Sequence, residues 1–140
     1  MNQYLVDKYG AKLASLGLEV QIAGTGGTYY LPDDNIVRNK RIVGMFIPDN
    51  KDDSAYSPSG RPLASNVAIR SSYLTLKAGN DDVLSEHPLS DLLITEYDRE
   101  VKLFDLCEMN PQRSTIFIGN AASLVTAGES IVIQFIYVNE

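Results

Sequence analysis

The C-terminal run Ser130-Ile-Val-Ile-Gln-Phe-Ile-Tyr-Val-Asn139 constrains the fold more than any other stretch. Its β-branched and aromatic residues suit a pleated, buried surface. Successive side chains of a strand point to opposite faces. Ile131, Ile133, Phe135 and Tyr137 therefore share one face, and Val132, Gln134, Ile136 and Val138 share the other. Gln134 alone is polar on the second face, so the strand must be covered twice. One cover is the core. The other is either an N-terminal helix of the same chain or another subunit. A run this apolar so near a terminus must also be tied into a sheet, because free ends fray.

The rest of the chain reads as strands punctuated by turns. Ser114 to Gly119 is strand-like and breaks at Asn120 to Gly128. Leu18 to Ile22 alternates apolar and polar residues, Gly24 to Gly27 reads as a flexible turn, and Thr28 to Leu31 reads as a short strand ended by Pro32. Together these predict a hairpin with a glycine-rich tip. Arg41 to Ile47 is a continuous apolar run, which fits a strand buried on both faces or at a subunit contact. Ser72 to Lys77 and Arg99 to Leu106 alternate, and Pro88 opens a short helical turn with Leu89, Leu92 and Leu93 on one side. Residues 2–16 read as an amphipathic helix. Leu5, Tyr9, Leu13 and Leu16 fall on one stripe, and Gly17 is its stop. The expected fold is all-β: an antiparallel β-sandwich, jelly-roll-like, with a short N-terminal helix. The expected layout is a helical arm over 1–17 and a single sandwich domain over 18–140.

Composition narrows function. A chain of 140 residues is one domain and can bury a core without staples. The single cysteine, Cys107, cannot form an internal disulfide. Residues 1–17 show no signal-peptide pattern, and no run approaches the length that spans a bilayer. The expectation is a soluble product made in a cytoplasm, with no membrane partner. Net charge is -6, and the only compact basic group is Arg38, Lys40 and Arg41. That argues against nucleic acid, whose binders carry a basic stripe.

Catalytic sets are hard to assemble from these residues. Gly24-Thr-Gly-Gly27 lacks the lysine and hydroxyl of a phosphate loop. His87 is the only histidine, too few for an imidazole metal centre on a β-sandwich. Cys107 beside alternating apolar residues reads as a small buried side chain rather than as half of a Cys/His pair. Asp49 to Asp53 resembles a calcium loop with Lys51 in a ligand position, so the segment 48–62 reads first as a solvated loop and second as a calcium or glycan site. Carboxylate pairs keep a small acid-dependent hydrolase as one alternative. Tyr29, Tyr30 and Tyr56 keep a carbohydrate-binding module as another, since glycans stack on aromatic rings. No cofactor is implied.

In size, strand-rich layout and closing Ile-Val-Ile-Gln-Phe-Ile-Tyr-Val strand, the chain resembles small β-sandwich structural proteins of bacteriophage virions: coat, vertex, cement or fibre-base subunits. The resemblance carries no motif and transfers no functional residue. It implies a non-enzymatic virion subunit, working as a homo-oligomer, a trimer or pentamer, beside other virion proteins. Lys8 and Lys12 are the only basic residues of segment 1–17, which points to a vertex, outer or decorating subunit rather than a genome-facing shell. The candidate interaction residues are Leu5, Tyr9 and Leu13 on the helix, Tyr29 and Tyr30, and Tyr56 and Arg61 in the long loop.

Overall fold

The computed structural model describes residues 3–22, 27–50, 56–94, 101–118 and 128–139. Their strands form two antiparallel sheets of four. The first contains β1 (Leu13–Gln21), β3 (Arg41–Phe46), β6 (Lys102–Leu106) and β8 (Ser130–Val138), in the order β1-β8-β3-β6. The second contains β2 (Gly27–Tyr30), β4 (Ser72–Ala78), β5 (Asp81–Pro88) and β7 (Thr115–Ile118), in the order β2-β7-β4-β5. The chain pairs first with last and works inward: β1 with β8, β2 with β7, β3 with β6, β4 with β5. That long ribbon is then rolled, so that β8 also joins β3 and β7 also joins β4. This is a jelly roll.

The core lies between the sheets and uses one parity of each strand. Leu18 and Val20 of β1, Ile131, Ile133 and Phe135 of β8, and Ile42 and Met45 of β3 meet Leu74 and Leu76 of β4 and Ile116 and Ile118 of β7. β8 is central in its sheet, and both its faces are closed within the chain. Its other parity, Ile136 and Val138, packs with Val43, Val101 and Leu5 of helix α1 (Gln3–Tyr9). The second cover expected for this strand is therefore the chain's own helix, not another subunit.

Three short helices cap the ends: α2 (Asn35–Asn39), α3 (Asn66–Arg70) and α4 (Leu89–Leu92). Asp34 caps α2 by accepting from the Ile36 and Val37 N–H groups, and Ser65 caps α3 through Ala68 N–H. These side chains take up backbone donors that a helix start leaves free.

Several expectations need correction. The N-terminal helix ends at Tyr9 rather than Leu16. Gly10 takes φ +55°, a 3-10 turn covers Gly10–Lys12, and Leu13 is already in β1. Gly17 lies inside that strand and stops no helix. The hairpin predicted from Leu18 to Leu31 does not exist, because β1 and β2 belong to different sheets. Cys107 is exposed, not buried. The tip at 24–26, the acidic run 51–53, the segment 95–100 and the break at 120–127 lie outside the described residues.

Candidate interaction face

The outer side of the β1-β8-β3-β6 sheet is covered in two halves. Over the first half, α1 lays Leu5, which is 1% exposed, onto Val43 and the other parity of β8. Gly44 permits this approach: a β-carbon there would stand 3.5 Å from Leu5 Cδ1 and 3.1 Å from Val101 Cγ1. Around the rim, Lys8 sits over the Tyr4 and Tyr9 rings, and Arg41 lies over Tyr9 while its Nε donates to Asp105 at 2.8 Å. That hydrogen bond, with the paired charges, raises the Arg41 pKa and lowers that of Asp105. Tyr4, Tyr9, Arg41, Leu103 and Asp105 line a shallow hollow of about 380 Å³ between helix and sheet.

The second half lies under the loop at 56–63. Glu19 of β1 holds that loop. Its Oε2 accepts from Ser57 Oγ at 2.9 Å, Ser59 Oγ at 2.5 Å and Ser130 Oγ at 2.8 Å, while Oε1 accepts from Ser59 N–H at 3.3 Å. Desolvation pushes the Glu19 carboxyl up. The hydrogen bonds from Ser59, Ser130 and Ser57 together outweigh it and leave the pKa below its ordinary value. Arg61 fastens the other end of the loop. It donates to Gly128 O at 2.9 Å, Gln21 Oε1 at 2.9 Å, Ile22 O at 3.0 Å and Glu129 O at 3.2 Å.

The loop is also pinned from below by Asn50, which is 3% exposed. Its amide donates to Leu63 O and Ala64 O, both at 3.1 Å, and its backbone N–H reaches Asn66 Oδ1 at 2.9 Å. Asp49 accepts from Asn66 Nδ2 at 2.6 Å. The two described residues of the calcium-like run thus serve the loop's own hydrogen bonding. Among the described residues, no three of His, Cys, Asp and Glu gather where they could hold a metal ion.

The outer side of the β2-β7-β4-β5 sheet is different, because its central side chains stand exposed. Phe117 projects from β7 and is 48% exposed. Thr28 of β2 stands opposite it on one side and Tyr73 of β4, 43% exposed, on the other. The next row is Tyr30, Thr115 and Thr75, with Tyr30 65% exposed. Aromatic rings and threonines thus fill the middle of the face. Charges collect at one end, where Tyr30, Lys77 and Arg113 line a hollow of about 280 Å³. There Lys77 pairs with Asp82 at 3.3 Å, and Arg113 donates to Asn80.

The candidate residues do not form one site. Leu5 is buried under α1, while Tyr9 and Leu13 pack partly against the same cluster. Tyr29 turns inward against the main core, whereas Tyr30 turns outward. Tyr56 is exposed on the opposite sheet, in a groove of about 420 Å³ with Pro48, Pro58, Leu63 and Val132. Arg61 uses its donors within the chain. The residues that do converge on an open surface, Phe117 and Tyr73, were missed. Their signal is the parity of two short strands, legible only once β7 is known to lie between β2 and β4. His87 pairs with Asp91 at 2.7 Å and meets Phe104 edge-on, so its contacts are structural neighbours on adjacent elements.

A scan against protein-family models finds no match, and searches of curated proteins and of solved structures find none.

Proposed function

We propose that this protein is an assembly subunit rather than an enzyme, and that it serves in a bacteriophage virion as a vertex, cement, fibre-base or other outer structural protein. One observation carries the assembly reading: Phe117, Tyr73 and Tyr30 stand exposed together on one sheet face, while α1 and the loop at 56–63 cover part of the other sheet's outer side. Aromatic residues are enriched at the centres of protein interfaces and charged ones depleted there. Exposed rings in the middle of a sheet, with charges displaced to one end, follow that arrangement. The virion part of the reading draws on fold analogy, since the jelly roll is shared by viral coat, lectin and cupin domains.

The test is sedimentation. Wild-type protein is expected to form species well above the 15.4 kDa monomer. The double variant Phe117→Ser with Tyr73→Ser should lower the assembly order while the monomer stays folded, with a thermal midpoint lowered by only a few degrees because about half of each side chain is exposed. A wild type that sediments only as monomer at high concentration overturns the reading.

A glycan-binding role is the second reading, favoured by Tyr30 beside Lys77 and Arg113 in one hollow. It predicts saturable glycan-array binding that is abolished by Tyr30→Ala and unaffected by Tyr56→Ala.

A further inference from the structure

We infer that two copies of this chain join edge to edge through β1, in antiparallel register about Gly17, to make one continuous eight-stranded sheet. Among the described residues, the four sheet edges are β1, β6, β2 and β5. Unpaired edges invite another strand, and proteins blunt them with short length, bulges, charges or proline. Three of these edges are blunted. β2 has 4 residues. β5 carries Asp81, Asp82, Glu86 and Pro88, and its register slips on both sides of Leu76. β6 has 5 residues, including Lys102 and Asp105, and faces a register break against β3. β1 has none of these devices. It runs 9 residues in unbroken register with β8, has no proline and carries one charge, Glu19.

The direction of its free backbone groups follows from its ends. Ile22 N–H donates to Glu129 O at 2.9 Å, and Lys12 O accepts from Asn139 N–H at 2.7 Å. Bonding alternates along an antiparallel strand. Even-numbered positions of β1 therefore bond to β8, and the backbone groups of Ser15, Gly17 and Glu19 point along the open edge. Among the described residues they meet no backbone partner.

The side chains identify the partner as a second copy. In a two-fold pairing centred on Gly17, Leu13 faces Gln21 of the other copy, Ser15 faces Glu19, Ala14 faces Val20 and Leu16 faces Leu18. Apolar residues that line the core side meet apolar residues, so the two cores run together. The two Glu19 carboxylates are kept apart, each opposite a serine, whereas a register centred on Glu19 would set like charges face to face. The Gly17 register also pairs the whole strand. A two-fold contact of this kind uses one patch twice and closes on itself.

This inference supplies a second contact for the assembly reading and rests on that reading for its use in the particle; the edge geometry itself does not depend on it. The test is residue-resolved amide exchange on the concentrated full chain, with sedimentation alongside. Ser15, Gly17 and Glu19 amides should exchange about a hundredfold more slowly than open amides do. They should do so equally in Phe117→Ser, which removes the face and not the edge. Ser15→Pro should abolish that protection and weaken the dimer at least about tenfold. It should leave the pairing with β8 intact, because the Ser15 N–H is not a donor to β8, and lower the thermal midpoint by no more than the lost dimer contributed. Ser15→Lys, opposite the partner's Glu19, should tighten the dimer, and Ser15→Glu should loosen it. Fast exchange at Ser15, Gly17 and Glu19 in wild type overturns the inference, whether the protein is then monomeric or assembled through the Phe117 face.

Discussion

Leu5 lies directly over Gly44, with the leucine's methyl where a β-carbon on that glycine would touch it. This contact joins a seven-residue helix to the middle of a sheet and lets the apolar outer parity of β8 stay dry. A helix of that length has no stability of its own. Its place depends on the contacts beneath it.

Leu5→Ala should therefore release α1 rather than leave a cavity under it. Loss of a buried leucine costs about 2–4 kcal/mol where the surroundings hold still. Here the expected loss is near the low end, because the terminal helix can lift. Urea unfolding measures the loss, and increased binding of a hydrophobic dye reports the exposed Val43, Ile136 and Val138.

Glu19 makes stability depend on pH. Its folded pKa is below the unfolded value, so its contribution is full above the unfolded carboxylate pKa of about 4.3 and is lost as pH falls through the folded pKa. Glu19→Gln should lower the thermal midpoint at pH 7 by about 3 °C. The gap between variant and wild type should shrink steadily as the buffer goes below about pH 4. A gap of constant size down to pH 2 would show that the serine hydrogen bonds do not favour the charged form.

Arg61→Lys keeps the charge and loses the planar fork. The carbonyls of Ile22, Gly128 and Glu129 and the side chain of Gln21 then share a single ammonium. The expected cost is about 1–2 kcal/mol in chemical denaturation, with Arg61→Ala at least as large. Equal stability of Arg61→Lys and wild type would place the loop's anchorage elsewhere.

Asn50 offers a sharper ordering. Asn50→Ala removes two donors to Leu63 O and Ala64 O, while Asn50→Asp also sets a carboxylate against those carbonyls. The aspartate variant should be the less stable of the two by about 2 kcal/mol at pH 7, as measured by thermal unfolding. Acid should narrow the difference, because the protonated side chain regains a donor.

Much of the sandwich was legible because alternation survives in the sequence wherever one strand face is buried. β1 and β4 show that alternation, whereas β8 and β3 are legible from the opposite signal, a continuous apolar run covered on both sides. Boundaries failed where two periods overlap. Leu5, Tyr9, Leu13 and Leu16 fit a helical stripe, yet Ala14, Leu16, Leu18 and Val20 also begin the strand alternation. Gly10 at positive φ decides between them. The hairpin expectation failed for another reason. Adjacency in sequence favours β1 with β2, but the ribbon pairs β1 with a strand at the far end of the chain. No local signal encodes that choice. The candidate face was hidden for the same cause: Phe117 and Tyr73 become neighbours only through the pairing of β7 with β4.

The first-with-last pairing also dictates an order of events at synthesis. β1 is made well before β8, its one sheet neighbour among the described residues. Contacts so distant along the chain form slowly. Until residues 130–138 emerge, β1 has both edges bare and β3 lacks the strand that joins it to β1. Among the described residues, β4 with β5 is the one pair of strands consecutive in sequence, so it has the shortest loop to close. Growing chains are thus most prone to stick to one another before residues 130–138 emerge, and slower elongation would lengthen that window.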